Sequence, residues 1–206
     1  MERVIIVDYA LGNLRSVAKA LEKVGYVTEV SSDPDKIRNA QALVLPGVGS
    51  FRHGMENLKS RGILSALHEA IQTGRPLLGI CLGLQLLFAE SEEHGIHRGI
   101  GIIPGKAKRL PQSLKVPQMG WNRVEISKPE KGSSPFSGIP DRSYFYFVHS
   151  YYVEPEDKGI IIGKTHYGIE FASAIIYDNI FALQFHPEKS GDLGLKLLEN
   201  WRNHVD

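Results

Sequence analysis

Short apolar runs recur through the first 80 residues: "VIIV" at 4–7, "ALVL" at 42–45 and "PLLGI" at 76–80, with a more polar one at 27–30. A run of four or five residues without polar alternation is a strand buried on both faces. Between these runs the apolar spacing changes to that of a helix. Leu14, Val17, Ala18, Leu21 and Val24 repeat at helical intervals and Gly25 follows as a stop. Met55, Leu58, Leu64, Leu67 and Ile71 predict one further helix closed by Gly74, and residues 82–89 another after the fourth strand. Doubly buried strands alternating with amphipathic helices leave few options. The strands go into a parallel sheet and the helices cover both of its faces. With 206 residues and 42% hydrophobic content, the chain is expected to form one domain over 1–206 around one core.

The second half has a different texture. Residues 116–126, 144–153, 159–167 and 172–188 read as successive strands with turn residues between them, and Asp178-Asn179 marks a hairpin. They predict an antiparallel extension of the same sheet. The expected class is therefore a three-layer, flavodoxin-like α/β fold with a mainly parallel sheet. A last helix follows, with Leu193, Leu197, Leu198 and Trp201 on its inner face, and 127–135 reads as a surface excursion.

Bulk properties exclude several roles. The net charge is +1 with no long basic run, so nucleic acid is not an expected partner. The apolar start meets Asp8 at once and reads as a strand rather than a signal peptide. No stretch approaches the roughly 20 apolar residues of a membrane span. One cysteine forms no internal disulfide. A soluble, cytoplasmic protein is expected.

That cysteine lies in "GICLG", 79–83, where the fourth strand gives way to a helix. A side chain at the apex of such a turn is exposed if small residues stand two before and two after it, as in the G-x-S-x-G nucleophile elbow. The helix N-terminus favours thiolate over thiol, and the Leu82 N–H faces the place where an oxyanion would form. A buried cysteine packing as a small hydrophobe is the other reading. "LQFHPE" places His186 and Glu188 two apart, on one face if the chain stays extended. A carboxylate can then orient an imidazole that activates a thiol; alone, the pair also reads as a strand-end histidine and a solvated acid. "LPGVGSF", 45–51, follows a parallel strand at the carboxyl edge, where ligands bind in such sheets. Its glycines suit close backbone approach, or a plain tight turn. His53, His68, His94, His97, His166 and His204 show no metal-ligand spacing, and no phosphate-binding glycine motif is present.

Taken in order, "PGVGSF", "GICLG" and "FHPEKS" resemble a class I (triad) glutamine amidotransferase. "DYALGN" at 8–13, "PQMGWN" at 117–122 and "YFYFVHSYY" at 144–152 are similar to the glutaminase subunits of imidazole glycerol phosphate synthase, and the likeness covers essentially the whole chain. The resemblance implies glutamine hydrolysis with Cys81 as nucleophile, His186 as proton carrier and Glu188 as its orienter. It implies an oxyanion site from the Leu82 N–H and an N–H of Gly47, Val48 or Gly49. Gln85, His149, Ser150 and Tyr151 would line the glutamine pocket. No metal or organic cofactor is implied. The ammonia would pass to a (β/α)8-barrel cyclase in a heterodimer, across a face containing Trp121, Lys189, Asn13 and Tyr146. Rival readings are a glutaminase subunit of another pathway, a stand-alone cysteine hydrolase, and a flavodoxin-like binding module in which Cys81 is incidental.

Overall fold

A computed structural model describes residues 3–127 and 134–201. Part of the 127–135 excursion, and His204, lie outside the described residues. The chain begins β1 (Arg3–Val7), α1 (Leu14–Lys23), β2 (Val27–Ser31), α2 (Pro34–Arg38), β3 (Ala42–Leu45), α3 (Phe51–Ser60), α4 (Ile63–Gln72), β4 (Leu77–Ile80) and α5 (Leu82–Leu86). It continues with β5 (Phe88–Ser91), β6 (His97–Arg98), β7 (Ile103–Arg109), β8 (Gln118–Ile126), β9 (Ser143–His149), β10 (Tyr151–Pro155), β11 (Ile161–Tyr167), β12 (Ile169–Tyr177), β13 (Ile180–Leu183) and α6 (Gly191–Trp201).

The sheet runs β2-β1-β3-β4-β13-β12-β10-β7-β5-β6. β1, β2, β3, β4 and β13 pair in parallel, and β13-β12-β10-β7 are antiparallel. The expected class, a parallel sheet with an antiparallel extension between helical layers, is what forms. Two apolar clusters flank it, one under α3 and α4 and one under α1 and α6. Leu197, Leu198 and Trp201 are buried on the inner face of α6, and Leu193 is partly so. Among the described residues no helix is long and apolar enough to cross a membrane.

Three local expectations need correction. The single helix read through 55–71 is two, because Gly62 adopts φ +70° and breaks the path between α3 and α4. The helix read over 82–89 stops at Leu86, and Phe88–Ser91 becomes a strand pairing with β7. The apolar run there fits either state, and a sheet edge claims it. Third, β8 and β9 do not extend the main path. They pair with each other over seven residues and join the sheet only through β11. The result is a ribbon, and its outer face leaves Met119, Trp121 and Tyr144 exposed.

The placement of β13 matters most for function. After the hairpin through Asp178 and Asn179 the chain re-enters the parallel half, with Ile180–Leu183 in register against Leu77–Ile80. Two segments a hundred residues apart therefore end side by side at the carboxyl edge of the sheet.

Candidate active site

At the end of β4 the chain turns at Cys81, which has φ 54° and ψ −107°, a conformation a non-glycine residue holds only when its surroundings enforce it. The Cys81 N–H donates to the Leu183 carbonyl at 2.7 Å, so β13 anchors the turn. The flanking glycines are explained by space. A Cβ on Gly83 would lie 1.8 Å from the Leu45 carbonyl oxygen, and one on Gly79 would press on Ala182 and Leu87. These contacts let α5 dive beneath β3.

Beyond β13, His186 is still extended, but Pro187–Lys189 form a 3-10 turn. The expectation of an extended segment with two side chains on one face is thus corrected. Pro187, with its fixed φ, starts the turn, which folds Glu188 back onto the ring. The His186 Nδ1–H donates to Glu188 Oε1 at 2.8 Å, and both side chains are buried. The His186 backbone is held twice, its N–H by the Tyr146 carbonyl at 2.9 Å and its carbonyl by the Ser190 hydroxyl at 2.6 Å. The His186 Nε2 and Glu188 Oε2 atoms are buried without partners. Burial opposes the imidazolium, but Cys81 and Glu188 together outweigh it and raise the His186 pKa to about 10. Sulfur itself has two further neighbours: its S–H faces the Val148 carbonyl at 3.7 Å and the Gln184 Nε2 lies 3.8 Å away.

Cys81 opens on a cleft of about 530 Å³ that Leu82, Gln85, Val48, Gly49, His149, Ser150 and Tyr151 also line. The residues expected to form the pocket are thereby brought together. Gln85 is buried, its amide nitrogen donating to the Tyr151 carbonyl at 2.8 Å. His149 faces the same carbonyl through Nδ1 at 2.9 Å and Gln118 through Nε2 at 2.9 Å. Burial is the main reason its pKa falls to about 4. Gln118 Oε1 is the atom that faces Nε2, so a neutral ring donating from Nδ1, which can only accept at Nε2, requires the Gln118 amide to turn end for end and bring its N–H there.

The loop 46–50 departs from expectation. The Leu82 N–H does not face the cleft freely; it donates to the Gly47 carbonyl at 3.3 Å. Because N–H and C=O of a trans peptide point in opposite directions, the Val48 N–H of that peptide points away. The close approach exists because Gly47 has no Cβ, which would meet the Tyr9 hydroxyl oxygen at 2.0 Å. That hydroxyl donates to the Pro46 carbonyl at 2.7 Å.

Of the four residues expected at a partner face, three meet. Trp121, 56% exposed, packs edge-on against Tyr146 at 6.1 Å, and the Lys189 ammonium lies 5.8 Å from the Tyr146 ring centre. Asn13 caps α1, accepting from the Ser16 N–H at 3.4 Å, and no ring contact or hydrogen bond joins it to the other three.

Sequence reasoning missed Glu93, His94 and Arg109, which also line the cleft. They come from 92–99 and β7, which carry no signature. Glu93 is held by the Phe51 N–H at 2.5 Å. It also missed Gln184, although a lone polar residue inside "IFALQF", two before His186, was a usable signal.

A family model described as "Glutamine amidotransferase class-I" matches residues 5–204. The chain is 50% identical over 201 residues to the imidazole glycerol phosphate synthase subunit HisH of Moorella thermoacetica, covering 98% of this chain and 94% of that one. It is 48% identical over 205 residues to the HisH of Aquifex aeolicus, covering 99% and 98%. Among solved structures, PurLQS from Thermotoga maritima superposes with a TM-score of 0.76 at 20% identity, covering 100% of both chains. A glutamine amidotransferase crystal structure superposes with a TM-score of 0.73 at 18% identity, covering 93% and 94%. These two likenesses concern the fold. The chain belongs to the class-I glutamine amidotransferases and, among them, to the family of HisH subunits of imidazole glycerol phosphate synthase.

Proposed function

We propose that this chain hydrolyses glutamine to glutamate and ammonia with Cys81, His186 and Glu188, and hands the ammonia to a cyclase subunit for histidine biosynthesis. The observation that carries the chemistry is the buried His186–Glu188 pair behind the one cysteine, which itself lines the cleft. His186 Nε2 holds the proton drawn from Cys81 as sulfur bonds to the side-chain carbonyl carbon of glutamine. The C–N bond then breaks as His186 returns the proton to the leaving nitrogen, releasing ammonia and leaving a thioester. Water attacks the thioester, His186 takes its proton and gives it to sulfur, and glutamate leaves. Glu188 keeps the imidazole in the tautomer with its proton on Nδ1 and offsets the charge. All groups in these steps are side chains, backbone and water.

The cleft suits an amino acid zwitterion. Glu93 and Arg109, of opposite charge, both act on Tyr151 in its wall. Glu93 is assigned to the α-ammonium and Arg109 to the α-carboxylate, with Gln85 and the 149–151 backbone around the side chain. The exposed Met119, Trp121 and Tyr144 ribbon face supports docking of a partner that receives ammonia before it is protonated in bulk water. Its relatives are named as subunits of imidazole glycerol phosphate synthase, and the proposed partner is that enzyme's cyclase. A catalytic thiol that must stay reduced suits the cytoplasm.

Glutaminase assays with and without a (β/α)8-barrel cyclase test the reading. Glutamate release that rises with the cyclase, and stops when a glutamine-analogue alkylator labels Cys81, is expected. Full activity with Cys81 alkylated would overturn it, and full activity without any partner would favour a stand-alone hydrolase.

A further inference from the structure

A chain of buried amides leads from the pocket wall to the nucleophile. Its orientation is set at a backbone carbonyl, which can only accept. The Tyr151 carbonyl takes one N–H of Gln85 at 2.8 Å, so the other N–H of that amide is free for Gln184 Oε1, 3.2 Å away. With its oxygen engaged there, Gln184 has its nitrogen on the other side, 3.8 Å from the Cys81 sulfur. Gln184 is fully buried, and its backbone N–H donates to the Ser173 carbonyl at 2.9 Å. Neither amide can flip without leaving two buried acceptors or two donors face to face.

Sulfur therefore stands between opposed neighbours. The Val148 carbonyl at 3.7 Å accepts S–H and disfavours negative charge. An amide N–H favours it, because a hydrogen bond to the charged form stabilises that form. We propose that Gln184 is a positioning residue of the glutaminase reaction: its amide, locked by Gln85, holds the Cys81 sulfur toward the cleft and stabilises its thiolate. This rests on Cys81 being the nucleophile. It also ties substrate to nucleophile, since Gln85 both lines the cleft and orients Gln184. The titratable groups around sulfur are His186 with Glu188 behind it, His149 at the end of β9 and Tyr9 after β1; all are retained in the variants below.

The test is the pH dependence of Cys81 alkylation by iodoacetamide, which needs no glutamine site. In Gln184→Met, the profile is expected to move up by about one pH unit, roughly tenfold slower on its acid side. Gln184→Glu keeps the acceptor for Gln85 but puts oxygen against sulfur, and a larger upward shift is expected. For both, kcat for glutamine falls more than KM changes, while the thermal midpoint and cyclase binding report an intact fold. A variant that folds with an unshifted profile overturns the inference, even if kcat falls. In the unmodified chain, the Gln184 side-chain N–H resonances are expected to move on Cys81 alkylation; resonances that ignore it overturn the inference without any variant. Failure of the nucleophile reading looks different: wild-type Cys81 is alkylated and glutamine hydrolysis persists.

Discussion

The two walls of the cleft are built by different means. On one wall Cys81, Gln184 and His186 each hang from a backbone hydrogen bond at the sheet edge. Cys81 is held by Leu183, Gln184 by Ser173 and His186 by Tyr146, at 2.7, 2.9 and 2.9 Å. On the other wall, 46–50 is a loop whose Val48 and Gly49 are exposed, tethered by the Tyr9 hydroxyl to Pro46. The proposed acid–base groups are assembled, whereas the proposed oxyanion site presents the Gly47 carbonyl to the Leu82 N–H where a donor would be needed. The difference teaches where restraint can reside. Strand ends position chemistry, and a glycine loop can hold it in check at little cost to the fold.

The largest effect is expected at the fixed wall. Cys81→Ala is expected to cut glutamine hydrolysis by about 10⁶-fold, to background. Cyclase activity supported by added ammonium salt remains, because only the ammonia source is lost. Loss of both activities would make Cys81 structural instead.

The loop is tested next. If turning the Gly47–Val48 peptide supplies the missing donor, glutaminase rates rise by about 100- to 1,000-fold from the isolated chain to the complex with acceptor analogue. Gly49 has φ +105°, which an alanine resists, so Gly49→Ala is expected to blunt the rise while leaving partner binding intact. Equal rates in the isolated chain and both complexes would show that the two walls are alike.

A smaller effect sharpens the picture of the fixed wall. His149 is neutral in the fold with a pKa of about 4, below the ordinary 6.5. The unfolded chain therefore binds the extra proton first as pH falls. The His149 contribution to stability is complete above pH 6.5 and is lost toward pH 4, by roughly 3 kcal/mol. His186 is protonated in both states over that window and does not contribute. Urea unfolding of the wild type and His149→Gln across this range checks the sign; parallel pH profiles would refute it. Smallest is the ribbon. Trp121→Ala is expected to weaken cyclase binding by about 2 kcal/mol, near 30-fold, without changing hydrolysis by the isolated chain. Calorimetric titration reads it, and unchanged affinity would move the interface elsewhere.

What is legible in the chain by itself is its class and its candidate nucleophile. Doubly apolar runs such as 42–45 and 77–80 can be buried only in a covered parallel sheet. G-x-C-x-G is legible as a local pattern, although the atoms that make Gly79 and Gly83 necessary come largely from other segments, Ala182 of β13 and the Leu45 carbonyl of β3. The helix break at Gly62 and the strand at Phe88–Ser91 were not legible, since a short apolar run suits helix or strand until a neighbour takes it. Other features were decided only when distant segments met. Register of Ile180–Leu183 on Leu77–Ile80 sets His186 and Gln184 beside Cys81. Gln118 and Tyr151, from two further strands, complete the pocket wall, and Glu93 and Arg109 reach it from segments without a motif. The closed Leu82–Gly47 contact is also tertiary: whether a peptide shows its N–H or its carbonyl depends on what packs across from it, here Leu82 and Tyr9. Hydrogen-bond direction across a site belongs to the assembled neighbours, and no run of residues read alone contains it.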